Sequence, residues 1–360
     1  MEYPPKRPAT PPSESIRAAK VARLVYVSDR DPGIERKGRP GRFHYRRPKG
    51  GGVRDVATLK RIAGLVIPPA WSEVWICLRP DGHIQAVGRD ARGRKQYRYH
   101  SRWRAVRDGD KYDHMIDFAR ALPRLRRRVA ADLRLPGLPR EKILATIVRL
   151  LESTLIRVGN DEYAEENKSY GLTTIRNGHA RVRGSRVEFS FRGKSGKSHQ
   201  VQIDDPKLAR IIRRCQDLPG QRLFEYLDGE GKIGVIGSHD VNLYLAAASG
   251  QECTAKDFRT WIGTVLATMA FGKVGVADSP AEAKRRTAVV VESVAGMLRN
   301  TPAVCRKCYI HPEVMAAYLE GEIPAFISNA SLRKREAALI TWLRQRMKRS
   351  GFQKGKAPAK

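Results

Sequence analysis

The 360-residue chain carries 69 lysines and arginines against 37 aspartates and glutamates, a formal net charge of +32. That length allows two domains with separate cores, and the charge excess favours polyanionic partners bound in a salt-dependent way. No apolar run is long enough to span a bilayer and the N-terminus lacks a signal-peptide core, so membrane and secreted classes are not expected.

In chain order, residues 1–23 are rich in proline and polar groups and predict a disordered basic arm. Residues 24–112 predict a small β-rich domain, with Val74 to Leu78 and His83 to Val87 flanking the hairpin signal Arg79-Pro80-Asp81-Gly82. Residues 113–332 predict a mainly α domain with a β insert, giving an α+β chain. Ile143, Leu144, Ile147, Val148, Leu151 and Leu155 recur at helical spacing. Thr173 to Ile175, Ala180 to Val182, Val187 to Phe191 and His199 to Ile203 alternate as strands. Thr254 to Asp257 resembles a capping box, and Ser279-Pro280 marks another helix start. Residues 333–360 predict an amphipathic helix containing Leu339, Trp342 and Leu343, then a basic tail.

Five cysteines (Cys77, Cys215, Cys253, Cys305, Cys308) are too few and too irregularly spaced for a disulfide framework and suit a reducing cytosol. Cys305 and Cys308 form a CxxC, but a structural zinc wants a second close pair and none exists, so both read better as packing residues.

A few residues have local settings suited to phosphodiester chemistry. Lys194 lies in Phe191-Arg-Gly-Lys-Ser-Gly-Lys-Ser198, which is not a phosphate-binding P-loop. That motif needs a glycine where Glu188 or Phe191 stands, and the alternating flanks make this a hairpin turn. A lysine there is either a basic turn touching solvent or phosphate, or a proton donor. Arg157 ends the long amphipathic helix, where an arginine is often just a dipole partner. Lys256 and Arg259 lie in the first turns of the next major helix. Two cations at that end oppose the dipole unless an anion is near. Tyr309 follows Thr301-Pro302, a helix start, with Arg306 and Lys307 beside it. Its hydroxyl either packs half-buried or attacks phosphorus in a cationic setting. In Gly88 to His100, Gln96 offers an amide to a base edge, and Tyr97 and Tyr99 project to one side of an extended segment. The bland alternative is a strand edge guarded by charge.

Taken in order, these pieces resemble a type IB DNA topoisomerase of the small bacterial and poxvirus kind. The resemblance spans roughly Val74 to Gly321. It rests on the Gly88 to Tyr97 segment, Ile156-Arg-Val-Gly159, Tyr163-Ala-Glu-Glu-Asn167, Tyr170-Gly-Leu-Thr-Thr174, Phe191-Arg-Gly-Lys194, Lys256-Asp-Phe-Arg-Thr260 and Asn300-Thr-Pro through Tyr309. It implies a two-lobed clamp, β-rich at the N-terminus, with a larger mainly α catalytic domain related to tyrosine recombinases. It also implies a monomer on double-stranded DNA in the cytoplasm, at the bacterial nucleoid, with no cofactor, metal or membrane. In that family Tyr309 would be the nucleophile, Arg157 and Arg259 would stabilise charge on the nonbridging oxygens, and Lys194 would act as general acid. Gln96, Tyr97, Tyr99, Tyr163 and Lys256 fall at DNA-contacting positions.

One departure is Asn300, nine residues before Tyr309, where the family usually has a histidine. Its amide can donate but does not titrate, so Asn300 reads equally as a catalytic donor or as a turn residue. If the helix of Tyr309 continued, His311 would point about 200° away and could not replace it. A tyrosine recombinase is the nearest rival, although that class typically has His-x-x-Arg at Lys256 to Arg259. A non-enzymatic DNA-compacting protein is the remaining alternative.

Overall fold

The computed structural model describes residues 13–91, 93–322 and 331–349, apart from the side chains of residues 13, 14, 108–110, 162, 163, 166 and 195. Described residues up to 113 form one compact unit and those from 114 to 349 another.

Among the described residues the first unit opens with α1 (Ser13–Val21), which corrects the expectation of a disordered arm for residues 13–21, while residues 1–12 of that arm and the basic tail from 350 lie outside the described residues. Ala18, Ala19 and Ala22 line one face and are buried with Leu24, Trp103 and Val106. The proline-rich composition of the first dozen residues masks this short alanine stripe. A five-stranded antiparallel sheet follows, in the order β2-β1-β3-β4-β5, from β1 (Gly33–Arg39), β2 (Arg42–Arg46), β3 (Ser72–Cys77), β4 (Ile84–Arg89) and β5 (Lys95–Tyr99). The expected hairpin is β3–β4, in register at Trp75↔Val87 and Ile76↔Ala86. Gln85 closes its turn, donating its amide to the Gly82 carbonyl at 2.8 Å. One helix, α2 (Val56–Gly64), is capped by Asp55 and packs Ile62 among Ile34, Val53, Val74, Ile76 and Ala86.

The division between units falls inside α3 (Ser101–Asp132). The second unit continues with α4 (Arg140–Thr154), α5 (Asp161–Asn167) and a three-stranded antiparallel sheet of β6 (Ala180–Arg183), β7 (Arg186–Arg192) and β8 (Ser198–Asp204). Thr173 to Ile175, expected as a strand, is a turn, because its backbone N–H groups are taken by nearby loop carbonyls instead of a neighbouring strand. There the Thr173 N–H bonds the Val158 carbonyl and the Ile175 N–H bonds the Gly171 carbonyl. Next come α6 (Pro206–Gln216), the small ribbon β9 (Glu225–Leu227) and β10 (Ile233–Val235), and α7 (Ser238–Ser249).

The remaining helices are α8 (Ala255–Val274), α9 (Pro280–Met297), α10 (Pro302–Cys308), α11 (Pro312–Leu319) and α12 (Leu332–Arg349). Both expected helix starts are capped as their residue types dictate. Asp257 accepts from the Thr254 N–H at 2.7 Å, and Ser279 accepts from Glu282 N–H at 3.2 Å. α8 is the central helix, with Trp261 and Phe258 fully buried and Phe258 edge-on to Phe118. The C-terminal helix is fastened at two points. Its Glu336 takes the Trp261 indole N–H and the Arg126 guanidinium, which also reaches Glu152. Its Arg346 pairs with Glu313, Glu320 and Glu322.

Candidate active site

α4 ends at Thr154, where Leu155 turns into the left-handed region (φ 58°) and reverses the chain. Arg157 therefore lies past the helix rather than at its end, in an extended segment whose carbonyl accepts the Leu172 N–H at 2.9 Å. This segment is pressed against the loop at 171–173. A Cβ on Gly171 would sit 2.5 Å from the Cα of Gly159, which itself has φ +102°. Only glycine permits that approach, and it fixes the direction in which Arg157 leaves the backbone.

Arg259 occupies the second turn of α8 and is 5% exposed. Its guanidinium donates to the Leu155 carbonyl and, at 2.5 Å, to the Leu298 carbonyl, the C-caps of α4 and α9. The negative ends of two helix dipoles thus receive a buried cation. This answers the unfavourable N-terminal placement expected from sequence, because the side chain extends away from its own helix end. The Arg259 Nε is buried without a partner.

One helical turn further along α8, Gly263 lets the chain at Tyr309 lie flat on the helix. A Cβ at Gly263 would be 2.5 Å from the Tyr309 carbonyl oxygen. Thr264 Oγ1 donates to that same oxygen at 3.4 Å and accepts the His311 N–H at 3.1 Å. Tyr309 is the C-cap of α10, whose expected N-cap Thr301 accepts from the Val304 N–H at 3.3 Å. The Arg259 guanidinium carbon sits 5.3 Å from the Tyr309 ring centroid. His311 begins α11 instead of continuing α10; its ring is buried and its Nδ1 caps that helix by accepting the Glu313 N–H.

Asn300 completes the pocket. Its Oδ1 accepts from Arg157 Nη2 at 3.0 Å, while its Nδ2 is buried without a partner. Because a guanidinium only donates, the oxygen must face Arg157, which leaves the NH₂ free to donate elsewhere. Beside it, Arg299 (φ +50°) donates from Nη2 to the Gln200 carbonyl of β8 at 2.9 Å.

Lys194 stands on the turn joining β7 to β8 and is exposed, with no hydrogen bond or ion pair among the described residues. Gly193 beneath it rests on the buried ring of His199: a Cβ at Gly193 would be 2.3 Å from His199 Nε2.

The electrostatics are one-signed. Burial, and then the neighbouring Arg259, push Arg157 down to about 10. Burial and Arg259 also lower Arg299. His199 is pushed down to about 4 by burial first, then by Arg299, Arg157 and Arg259. Among the described residues no carboxylate forms an ion pair with these three arginines. Cations gathered without a counter-charge and beside unpaired donors make a site for an anion.

Arg157, Arg259, Asn300 and Tyr309, expected from sequence, thus meet in one cluster, and the Lys194 turn belongs to the β7–β8 hairpin whose Gln200 carbonyl holds the adjoining Arg299. Lys256 is exposed on the first turn of α8, outside this contact network. Gln96, Tyr97 and Tyr99 belong to the first unit, on the edge strand β5. Tyr97 and Tyr99 do project to one side, stacked with ring centroids 5.8 Å apart, and Tyr99 is half-buried near His83 and Trp103. The Gln96 amide donates to Asp90 at 3.0 Å, so a base edge would have to compete for it. Tyr163 lies on α5, but its side chain is outside the described residues. Sequence reasoning missed Arg299, His199 and Gly263. A glycine inside the strong helical pattern of α8 was the available sign of close packing.

Residues 100–335 match the family model described as "Eukaryotic DNA topoisomerase I, catalytic core", and residues 42–90 match "Bacterial DNA topoisomerase IB, N-terminal domain". The chain is 31% identical over 267 residues to the DNA topoisomerase 1B of Acanthamoeba polyphaga mimivirus, covering 72% of this chain and 80% of that one. It is 21% identical over 233 residues to the DNA topoisomerase 1B of vaccinia virus (strain Copenhagen), covering 64% and 70% respectively.

Proposed function

The chain belongs to the type IB DNA topoisomerase family, and from that premise we propose that it relaxes supercoiled duplex DNA through a 3′-phosphotyrosyl intermediate, with no need for ATP or metal. The observation that carries this reading is the Tyr309 phenol beside the Arg259 guanidinium, in a pocket shared with Arg157 and Asn300 and lacking a carboxylate counter-charge among the described residues. The scissile phosphate supplies the missing anion. Tyr309 Oη attacks phosphorus and releases its proton to solvent; the bond to the 5′ oxygen breaks, and Lys194 gives that oxygen a proton. Arg157, Arg259 and the free NH₂ of Asn300 hold the nonbridging oxygens as charge builds on them. The cut strand swivels, and the 5′ hydroxyl attacks the phosphotyrosine, returning its proton to Lys194; the P–Oη bond breaks, Tyr309 regains a proton from solvent, and the phosphodiester is restored. Bond energy is kept in the covalent link, so no step calls for a nucleotide or an ion.

The enzyme works as a monomer whose two lobes close around the duplex in the bacterial nucleoid, with Gln96, Tyr97, Tyr99, Tyr163 and Lys256 contacting DNA. The same chemistry would serve a tyrosine recombinase, to whose fold we relate the catalytic unit. Relaxation of plasmid that carries no recombination site separates the two readings.

The test is a duplex whose cut strand ends a few nucleotides past the scissile bond, so that the short downstream fragment is lost and the adduct is trapped. The wild-type chain should become linked to the 3′ phosphate at Tyr309, and the released fragment should carry a free 5′ hydroxyl. An adduct at another residue, a 5′-linked adduct, or none under conditions where the duplex is bound, would overturn the mechanism.

A further inference from the structure

The turn carrying Lys194 is held from two sides, and only one side has a chemical reason visible in the strand pairing. The Arg192 guanidinium lies over Gly196, where a Cβ would be 2.9 Å from Nη2. On the other side stands His199. It is the cross-strand partner of Phe191, stacked with it at 5.0 Å, and is 4% exposed with Nδ1 buried and unpartnered. Its Nε2 edge meets Gly193 so closely that no side chain fits between them. The next residue, Gln200, takes the guanidinium of Arg299, which precedes Asn300. His199 thus lies against the turn that carries Lys194, on the strand whose next residue holds Arg299.

We propose that His199 is a positioning residue for leaving-group protonation: its ring is the floor on which Gly193 rests, and it sets where Lys194 reaches relative to the phosphate held by Arg157 and Arg259. The inference rests on the role given above to Lys194. It is an action through another residue, since the ring is covered by Gly193 and Phe191. Misplacing a catalytic group by about 1 Å can cost about a hundredfold in rate, so the effect should be readable although the ring touches no reacting atom.

The experiment compares single-turnover adduct formation on two duplexes, one ordinary and one with sulfur in place of the bridging 5′ oxygen. A thiolate leaves without protonation, so the second duplex bypasses the general acid. The chains are wild type, Lys194→Ala, His199→Ala, His199→Asn, Gly193→Ala and the Gly193→Ala/His199→Ala pair. We expect the His199 variants to be slowed about ten- to a hundredfold on the ordinary duplex and to return to within about threefold of wild type on the sulfur duplex, as Lys194→Ala does. Gly193→Ala should behave alike, because its methyl collides with the ring while its backbone angles suit alanine. Adding it to His199→Ala should cost nothing further, since the collision partner is gone. Should the His199 variants not fold, Gly193→Ala alone decides.

Equal slowing on both duplexes would overturn the proposal, because the ring would then act on the phosphate or on the fold. Unchanged rates on the ordinary duplex would overturn it too. If wild type forms no adduct on either duplex, the reading of the chain as a tyrosine-nucleophile enzyme fails instead.

Discussion

Arg259 joins three jobs in one side chain. It closes the carbonyl ends of α4 and α9, lies against Tyr309, and leaves Nε without a partner. A lysine keeps the charge but not the planar fork, so it cannot reach both carbonyls and the phosphate together. Arg259→Lys should slow adduct formation about 10²- to 10³-fold in single-turnover assays, and a rate near wild type would contradict this use of the fork. At Asn300 the sign of charge is the discriminating variable. Asn300→Ala removes a neutral donor, whereas Asn300→Asp brings an anion to Arg157 and to the phosphate. The aspartate should therefore be the slower of the two, and an aspartate faster than alanine would refute contact with a phosphate oxygen. His199 gives a pH signature in stability. Its folded pKa of about 4 lies below the ordinary value of about 6.5, so the unfolded chain takes up the proton first. Stability should fall as pH drops through the window from about 6.5 to about 4, with no further loss from this group below it. His83, His100 and His179 are also lowered, chiefly by burial, so the wild-type slope alone is not diagnostic. The contrast with His199→Asn is: denaturant unfolding at several pH values should give the variant a shallower slope, and identical slopes would exclude a neutral buried ring.

At the scale of elements, the site depends on how closely α8 approaches the chain around Tyr309. Gly263→Ala should favour the helix by about 1 kcal/mol on propensity alone, yet its methyl would collide with a backbone oxygen that cannot rotate away. The expected outcome is a folded chain whose adduct formation is slowed about a hundredfold; wild-type rates would mean the approach has no role in aligning the phenol. This contact marks where the sequence stops being readable. Helix starts at Thr254, Ser279 and Thr301 were legible because caps are local, and the β3–β4 and β7–β8 hairpins because alternation and turn residues are local. The meeting of Arg157, Asn300, Arg259 and Tyr309 was legible only through ordered motifs. Arg299 and His199 carry no signal of their own, since their roles come from which backbone lies opposite; Gly263 signals close packing in its helix but not what packs there. Two local readings failed for physical reasons. The alanines of α1 bury little area each and hide behind prolines, and the backbone of Thr173 to Ile175 is committed to bonds with Val158 and Gly171 that alternation alone does not reveal.

For the whole molecule, the charge of +32 explains affinity for a polyanion and its expected decline with salt, but not chemistry. No described helix is long and apolar enough to cross a membrane, and no described cluster of three or more acidic, histidine or cysteine side chains could hold a metal ion. What lifts the chain above a generic basic binder is the concentration of uncompensated arginine around one phenol. The most direct test is relaxation of negatively and positively supercoiled plasmid in excess chelator without ATP, comparing wild type with Tyr309→Phe. Wild type should relax both signs, and the variant should relax neither while still binding the plasmid. Relaxation by the variant, or a wild-type chain that binds but relaxes neither sign, would contradict this reading.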